Sequence, residues 1–349
     1  MRTGLGPLQP NPLQPSTPAR LAIQREITPV FSRSRRSTAL LLALPLLLAG
    51  CTSAVAGPQR GTDAPSRVVV PPLTSATPML DSANDQPLPL DTYLFNPEQM
   101  STVEKAQAKL GTSCMARFGF SYAPPAAPQP TRGSDAPTMR TDGRYGPQDA
   151  ALMAKWGYHS EGGDVGAGWS PPRLEMSQEM TAALLGSSDM KQKYGPGGQV
   201  INGQKVPDHG CVGETVKELT GAVEGKVGDA ELAQDLKFRT LRDSQQDTRT
   251  QAVFAQWSKC MKESGFSYPD PVAAMGDKAW SGTPMPTPHE IQVATADAAC
   301  RHRTNLVGVW YTVDFAYQQQ AIAENATAMA QIKTALQAQV KAATTALNG

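Results

Sequence analysis

The sequence predicts a mainly α-helical protein: two related helical units, each stapled by a disulfide, with irregular Pro- and Gly-rich loops and a long C-terminal helix, after a disordered N-terminal tether. Three observations carry this expectation. Four cysteines follow residue 95, a motif around two of them occurs twice, and apolar residues recur at helical spacing through most of the last sixty or so residues.

The chain opens with a segment that reads as an export signal over residues 1–50. Arg33, Arg35 and Arg36 precede an uncharged run, Ser37 to Gly50, dominated by leucine and alanine. That run falls short of the roughly 20 apolar residues a bilayer core requires, and Pro45 interrupts it, so a transmembrane anchor is not expected. Leu48-Ala49-Gly50-Cys51 resembles the lipobox of bacterial lipoproteins. The resemblance implies cleavage before Cys51, a diacylglyceryl and palmitate anchor on its thiol, and residence on the extracytoplasmic face of the cell membrane. Met1 to Ser32 is longer than such a signal needs, which suggests a true start further along. Ser34-Arg35-Arg36 also looks like part of a twin-arginine signal, although Ala39 stands where a bulky residue is usual, so both export routes stay open.

Six arginines and one glutamate lie before Cys51, which leaves 26 basic and 30 acidic residues after it, a net charge near −4 against +1 for the whole chain. A mildly acidic surface without a basic cluster excludes nucleic acid as the expected partner, since phosphates are matched by lysine and arginine. Residues 51–94 are rich in Pro, Ser, Thr, Ala and Asp. Such a composition buries too little apolar surface to offset the entropy of ordering, and the segment reads as a lipidated tether.

The rest divides into a first unit, 95–246, and a second, 247–349. With Cys51 taken by lipid, Cys114, Cys211, Cys260 and Cys300 form an even set with three possible pairings. Cys114-Met115 through Gly119-Phe120-Ser121-Tyr122 recurs as Cys260-Met261 through Gly265-Phe266-Ser267-Tyr268, both reading C-M-x-x-x-G-F-S-Y. In each copy the glycine closes a preceding helix in the left-handed conformation, and Pro124 or Pro269 follows. If each copy is one unit it holds its own bridge, which pairs Cys114 with Cys211 and Cys260 with Cys300.

Inside the first unit, Ala123 to Pro137 should be irregular. Short helices are expected over Gln148–Trp156, Ser177–Leu185 and Cys211–Leu219, closed by Gly157, Gly186 and Gly221. Gly162, Gly163, Gly166 and Gly168 form one glycine-rich loop, and Gly195, Gly197 and Gly198 another. In the second unit, Thr287-Pro288-His289-Glu290 reads as a capping box with proline at the first helical position. From there an apolar stripe runs through Cys300 and Trp310 almost to Gly349, with Gly308 as its one expected break.

The whole pattern resembles a group of uncharacterised secreted lipoproteins encoded by actinobacteria such as Streptomyces. They combine a lipobox and tether with a W-x-x-C-M-x-x-x-G-F/Y helix and a later D-x-x-C helix. Here those residues are Trp257, Cys260, Met261, Gly265, Phe266, Asp297 and Cys300, so the likeness is closest over about the last hundred residues. It implies an envelope location and a helical fold, and it transfers no activity.

Chemistry is sparse. His159, His209, His289 and His302 lack metal-ligand spacing, so neither metal nor cofactor is expected. His159, Glu161, Asp164, Asp208 and His209 would converge only through the first bridge, and solvated loop positions are the default. Gly221 to Lys226 falls short of a P-loop, and there is no G-x-S-x-G elbow. Glu161 with Asp164, or Asp270 with Asp277 beside Trp280, would be the carboxylate pairs of a glycosidase-like site. Candidate ligand contacts are Trp156, His159, Asp164, Trp169 and Trp280. The expectation is a non-catalytic binding or scaffold lipoprotein, with an envelope protein as partner through the C-terminal helix. The alternative is a wall-glycan or peptide binding protein or hydrolase.

Overall fold

The computed structural model describes residues 70–124, 143–162, 175–189 and 191–349. The export signal, Cys51, the tether up to residue 69, most of the Pro-rich stretch, and Asp164 and Trp169 lie outside them. All described residues belong to one compact unit, Pro65–Gly349.

Ten α-helices and one short hairpin occur among the described residues. The first half supplies α1 (Pro97–Arg117), α2 (Ala150–Trp156), α3 (Gln178–Leu185), α4 (Gly210–Thr220) and α5 (Glu231–Gln246). The second supplies α6 (Thr248–Glu263), α7 (Pro271–Met275), α8 (Pro288–Thr304), α9 (Leu306–Glu324) and α10 (Ala326–Asn348). Strands β1 (Val200–Ile201) and β2 (Gln204–Lys205) pair antiparallel across Asn202-Gly203, both at positive φ, as a tight hairpin turn requires.

Local chemistry sets the helix ends. Asn96 accepts from Gln99 N at 2.8 Å while the Gln99 side chain accepts from Asn96 N at 3.0 Å, a reciprocal box that starts α1. Ser177 caps α3, which ends at left-handed Gly186, and Thr287 accepts from Glu290 N to start α8. In the repeated motif, Phe120 N donates to Met115 O at 3.1 Å and Phe266 N donates to Met261 O at 2.9 Å, past left-handed Gly119 and Gly265. The repeat goes further than its letters. Thr112 Oγ1 donates to Tyr122 O and Ser258 Oγ donates to Tyr268 O, each ten residues on.

Both bridges have the expected partners, Cys114–Cys211 and Cys260–Cys300. They sit in two of three apolar clusters. One gathers Cys114, Met115, Phe118, Leu184, Ile201 and Cys211, and another Phe254, Trp257, Cys260, Met261, Cys300 and Trp310. The third joins Leu90, Phe95, Val103, Leu219, Leu236 and Met329. The halves interlock, because α2 packs on α8 while α10 packs on α1 and α4.

Two expectations are corrected. Residues 80–94, whose composition places them in the tether, pack into the core: Ala83, Leu88, Leu90 and Leu94 are buried, and a 3-10 helix forms at Pro89–Tyr93. Partners about 230 residues away hold this strap, with Leu80 N donating to Asn305 Oδ1 and Leu90 N to the Gln318 side chain, both at 3.0 Å. The long C-terminal stripe breaks at Asn305, left-handed at φ 52°, and again at Asn325. Gly308 instead lies within α9, where a Cβ would stand 2.1 Å from Pro78 O, so it serves the close approach of the strap. Among the described residues no helix is long and apolar enough to cross a membrane.

Candidate functional site

Asp149 caps α2 by accepting from Leu152 N at 2.9 Å, and Gly157 ends the helix. The chain then runs against the start of α8. Tyr158 N donates to Glu290 Oε1 at 2.8 Å. His159 Nδ1 meets the same oxygen at 2.7 Å and Nε2 meets Thr283 O at 2.8 Å, with the ring almost fully buried. The default of a solvated His159 therefore fails: the histidine is a buried staple between α2 and α8.

Behind it lies a second polar chain. Asp297 Oδ1 accepts from Trp257 Nε1 and from Arg301 Nε, each at 2.8 Å, and Oδ2 accepts from the Tyr158 hydroxyl at 3.1 Å. Arg301 Nη1 donates to Tyr145 O at 2.7 Å. The Tyr145 hydroxyl donates to Asp314 at 2.6 Å, and Arg144 grips the same carboxylate through Nε at 2.6 Å and Nη2 at 3.0 Å. Burial first, and then the neighbouring carboxylates Asp314 and Asp297, push the Tyr145 and Tyr158 phenols well above their ordinary range. Both hydroxyls therefore remain donors throughout the neutral range. A buried pair of this kind contributes little net stability, but removing one partner typically costs about 3 to 5 kcal/mol.

A cavity of about 210 Å³ opens beside α2, lined by Asn84, Pro147, Leu152, Met153, Trp156 and Met275 among others. Two of these carry buried polar atoms without a hydrogen-bond partner, the Trp156 indole nitrogen and Asn84 Oδ1. A third such atom, Arg301 Nη2, lies 3.0 Å from where a Cβ on Gly146 would stand, and Gly146 also lines the cavity. Buried polar groups are nearly always satisfied, so the unpartnered Trp156 and Asn84 atoms make the cavity a candidate site for a water or a ligand.

The other sequence candidates have structural partners. Trp280 is buried in a 3-10 helix, Lys278–Gly282, where its indole donates to Ala274 O at 2.7 Å and its ring stacks on Tyr158 at 5.9 Å. Asp270 and Asp277 cap helices, and Asp277 also accepts from the Tyr268 hydroxyl at 2.9 Å. His209 pairs with Asp208 and Glu224, and Glu161 stands at the cavity beside His159. The loop at Gly195, Gly197 and Gly198 spends its amides on Leu185 O, Gly186 O and Val206 O. No group of three or more His, Cys, Asp or Glu with metal-binding geometry occurs among the described residues. Sequence reasoning found Trp156 and His159 but missed Asn84 and Arg301, whose partners are fixed only by the fold. No protein family, curated protein or solved structure matches the chain.

Proposed function

We propose that the chain is a lipid-anchored, non-catalytic binding protein of the cell envelope, exported, held by Cys51, and presenting the cavity beside α2 to its ligand. The observation that carries the reading is the cavity itself, in which aromatic and apolar walls meet polar atoms that the protein leaves without partners. Two disulfides suit an oxidising compartment. Of the polar groups near the cavity, His159 bonds Glu290, Arg301 bonds Asp297 and Arg144 bonds Asp314, while Glu290 Oε2 and Arg301 Nη2 stay buried without partners.

The test has two arms. Cells making the full chain or Cys51→Ala are labelled with an alkyne fatty acid and fractionated; the parent should carry label in the membrane fraction and the variant neither. A photoreactive residue at Leu152, beside the cavity, should yield an adduct that the same group at exposed Val272 does not. Label retained by Cys51→Ala sinks the anchor. Equal adducts at both positions, or none, sink the binding site.

A further inference from the structure

The strap changes character along its length. Leu88, Leu90 and Leu94 anchor its inner part by apolar burial, whereas every residue of the preceding stretch from Pro72 to Met79 is exposed. That outer part is held through polar contacts, most of which reach its main chain. Asn305 Nδ2 donates to Pro78 O at 2.9 Å, and Asn305 Oδ1 accepts from Leu80 N at 3.0 Å. Arg249, already fixed on Asp247 through Nε and Nη2, donates from Nη1 to Pro71 O at 3.0 Å. Thr74 Oγ1 donates to the Gln319 side chain at 2.9 Å.

These contacts have the form of peptide recognition. A carbonyl and the N–H two residues on lie on one side of an extended chain, and a side-chain amide that meets both stands in for a neighbouring strand. Asn305 does this from a left-handed conformation, φ 52°, at the corner between α8 and α9. One turn on, Gly308 admits Pro78 O to a point 2.1 Å from where a Cβ would stand. From Gly308 to Gln319 the helix rises about 16 Å. The four residues from Pro78 back to Thr74 span about 14 Å when extended, so the strap runs along α9 with little slack. The corner and the following turns of α9 thus form a track for an extended backbone that reads few of the side chains laid on it.

We propose that this track is a second binding site, for an extended proline-containing peptide, and that the chain's own residues 71–80 occupy it in cis. Arg249, Asn305, Gly308 and Gln319 are not among the residues lining the cavity beside α2, so the site stands apart from the binding reading above. A segment with few buried side chains and exposed hydrogen bonds opens at low cost. Closed, it competes at the high effective concentration of a tethered ligand; lifted, it leaves the track to a peptide in trans.

The test follows fluorescence anisotropy of a fluorescein-labelled peptide of residues 70–82 added to the full-length protein in detergent micelles. In the parent the strap should keep the peptide out, and binding should be weak. Pro71→Gly, Pro72→Gly and Pro78→Gly together raise the entropy of the freed strap, leave its carbonyls in place, and should tighten peptide binding by about tenfold. Against that triple variant, N-methylation of the peptide at Leu80, which removes the N–H that Asn305 takes, should weaken binding by about tenfold. N-methylation at Ala76, whose amide makes no hydrogen bond among the described residues, should change little. A benzoylphenylalanine replacing Ser75 of the peptide should form its adducts on α9. A melting curve close to the parent's confirms that the triple variant is folded. Equal binding to parent and triple variant, or binding to neither, overturns the proposal. So does binding indifferent to methylation at Leu80, or adducts away from α9.

Discussion

The two copies of the cysteine motif close their helices alike but differ one turn earlier. Three residues before Cys260 stands Trp257, fully buried, whose indole donates to Asp297, itself three residues before the partner Cys300. Three residues before Cys114 stands Gly111, and three before Cys211 stands Asp208, whose side chain is 59% exposed. The Tyr122 ring lies 3.7 Å from where a Cβ on Gly111 would be. The shared letters thus encode helix closure and the cysteine's position, while the indole decides whether the aspartate is drawn inside.

The largest test of this contrast removes the bridges. By chain entropy the Cys114–Cys211 loop, spanning 97 residues, is worth about 4.7 kcal/mol and the 40-residue Cys260–Cys300 loop about 3.9 kcal/mol. Urea unfolding of the two Cys→Ala double variants should follow that order. A reversed order would show that packing around Trp257 outweighs loop length.

Next comes the aspartate pair. Asp297→Asn leaves the Arg301 charge buried without its counter-charge and should cost about 3 kcal/mol, whereas Asp208→Asn should stay within about 0.5 kcal/mol. Equal losses would break the comparison outright.

Much of this was readable in advance because it is local. The repeat gave both bridges, and the caps at Ser177 and Thr287 with the glycine at 186 placed helix ends nearly to the residue. The strap at residues 80–94 was not readable, because its few apolar residues gain burial only against α5, α9 and α10, remote in sequence. Asn305 hid a helix break because asparagine tolerates the left-handed conformation without announcing it as glycine does. At the candidate site, Trp156 was visible as an aromatic in a loop-rich region. Asn84 and Arg301 were not, since one sits in a polar stretch and the other on a helix bristling with charge.

A smaller effect should appear in acid. Burial alone would raise the Asp247 carboxyl, but the Arg249 side chain and backbone outweigh it and hold it below its ordinary value. A depressed carboxyl contributes stability that is full above the unfolded value, about pH 4, and is lost as pH falls through the folded one. Arg249→Met should therefore lower stability at neutral pH and flatten the acid limb of a stability-versus-pH curve below about pH 4, so that parent and variant converge in acid. Asp247 caps α6, which carries Cys260, and the first motif's helix has an uncharged Asn96 there, so the acid sensitivity belongs to the second copy.

The smallest difference lies at the motif glycines. Gly265→Ala meets nothing within 4 Å and should cost only the left-handed penalty, about 1 kcal/mol. Gly119→Ala should cost more, because its Cβ would lie 3.3 Å from Asn202 Nδ2, which donates to Phe118 O at 2.7 Å. Thermal midpoints of the two variants would resolve this.

The order of the bridges bears on how the chain is made. Of the four cysteines after residue 95, the first is joined to the second and the third to the fourth, Cys114 to Cys211 and Cys260 to Cys300, with no crossing of the pairs. A polypeptide that meets an oxidant while emerging amino end first presents each thiol with its native partner as the next to arrive. With Cys51, the first thiol to emerge, taken by lipid as proposed, the native pairs are also the ones that form when thiols are joined in order of appearance.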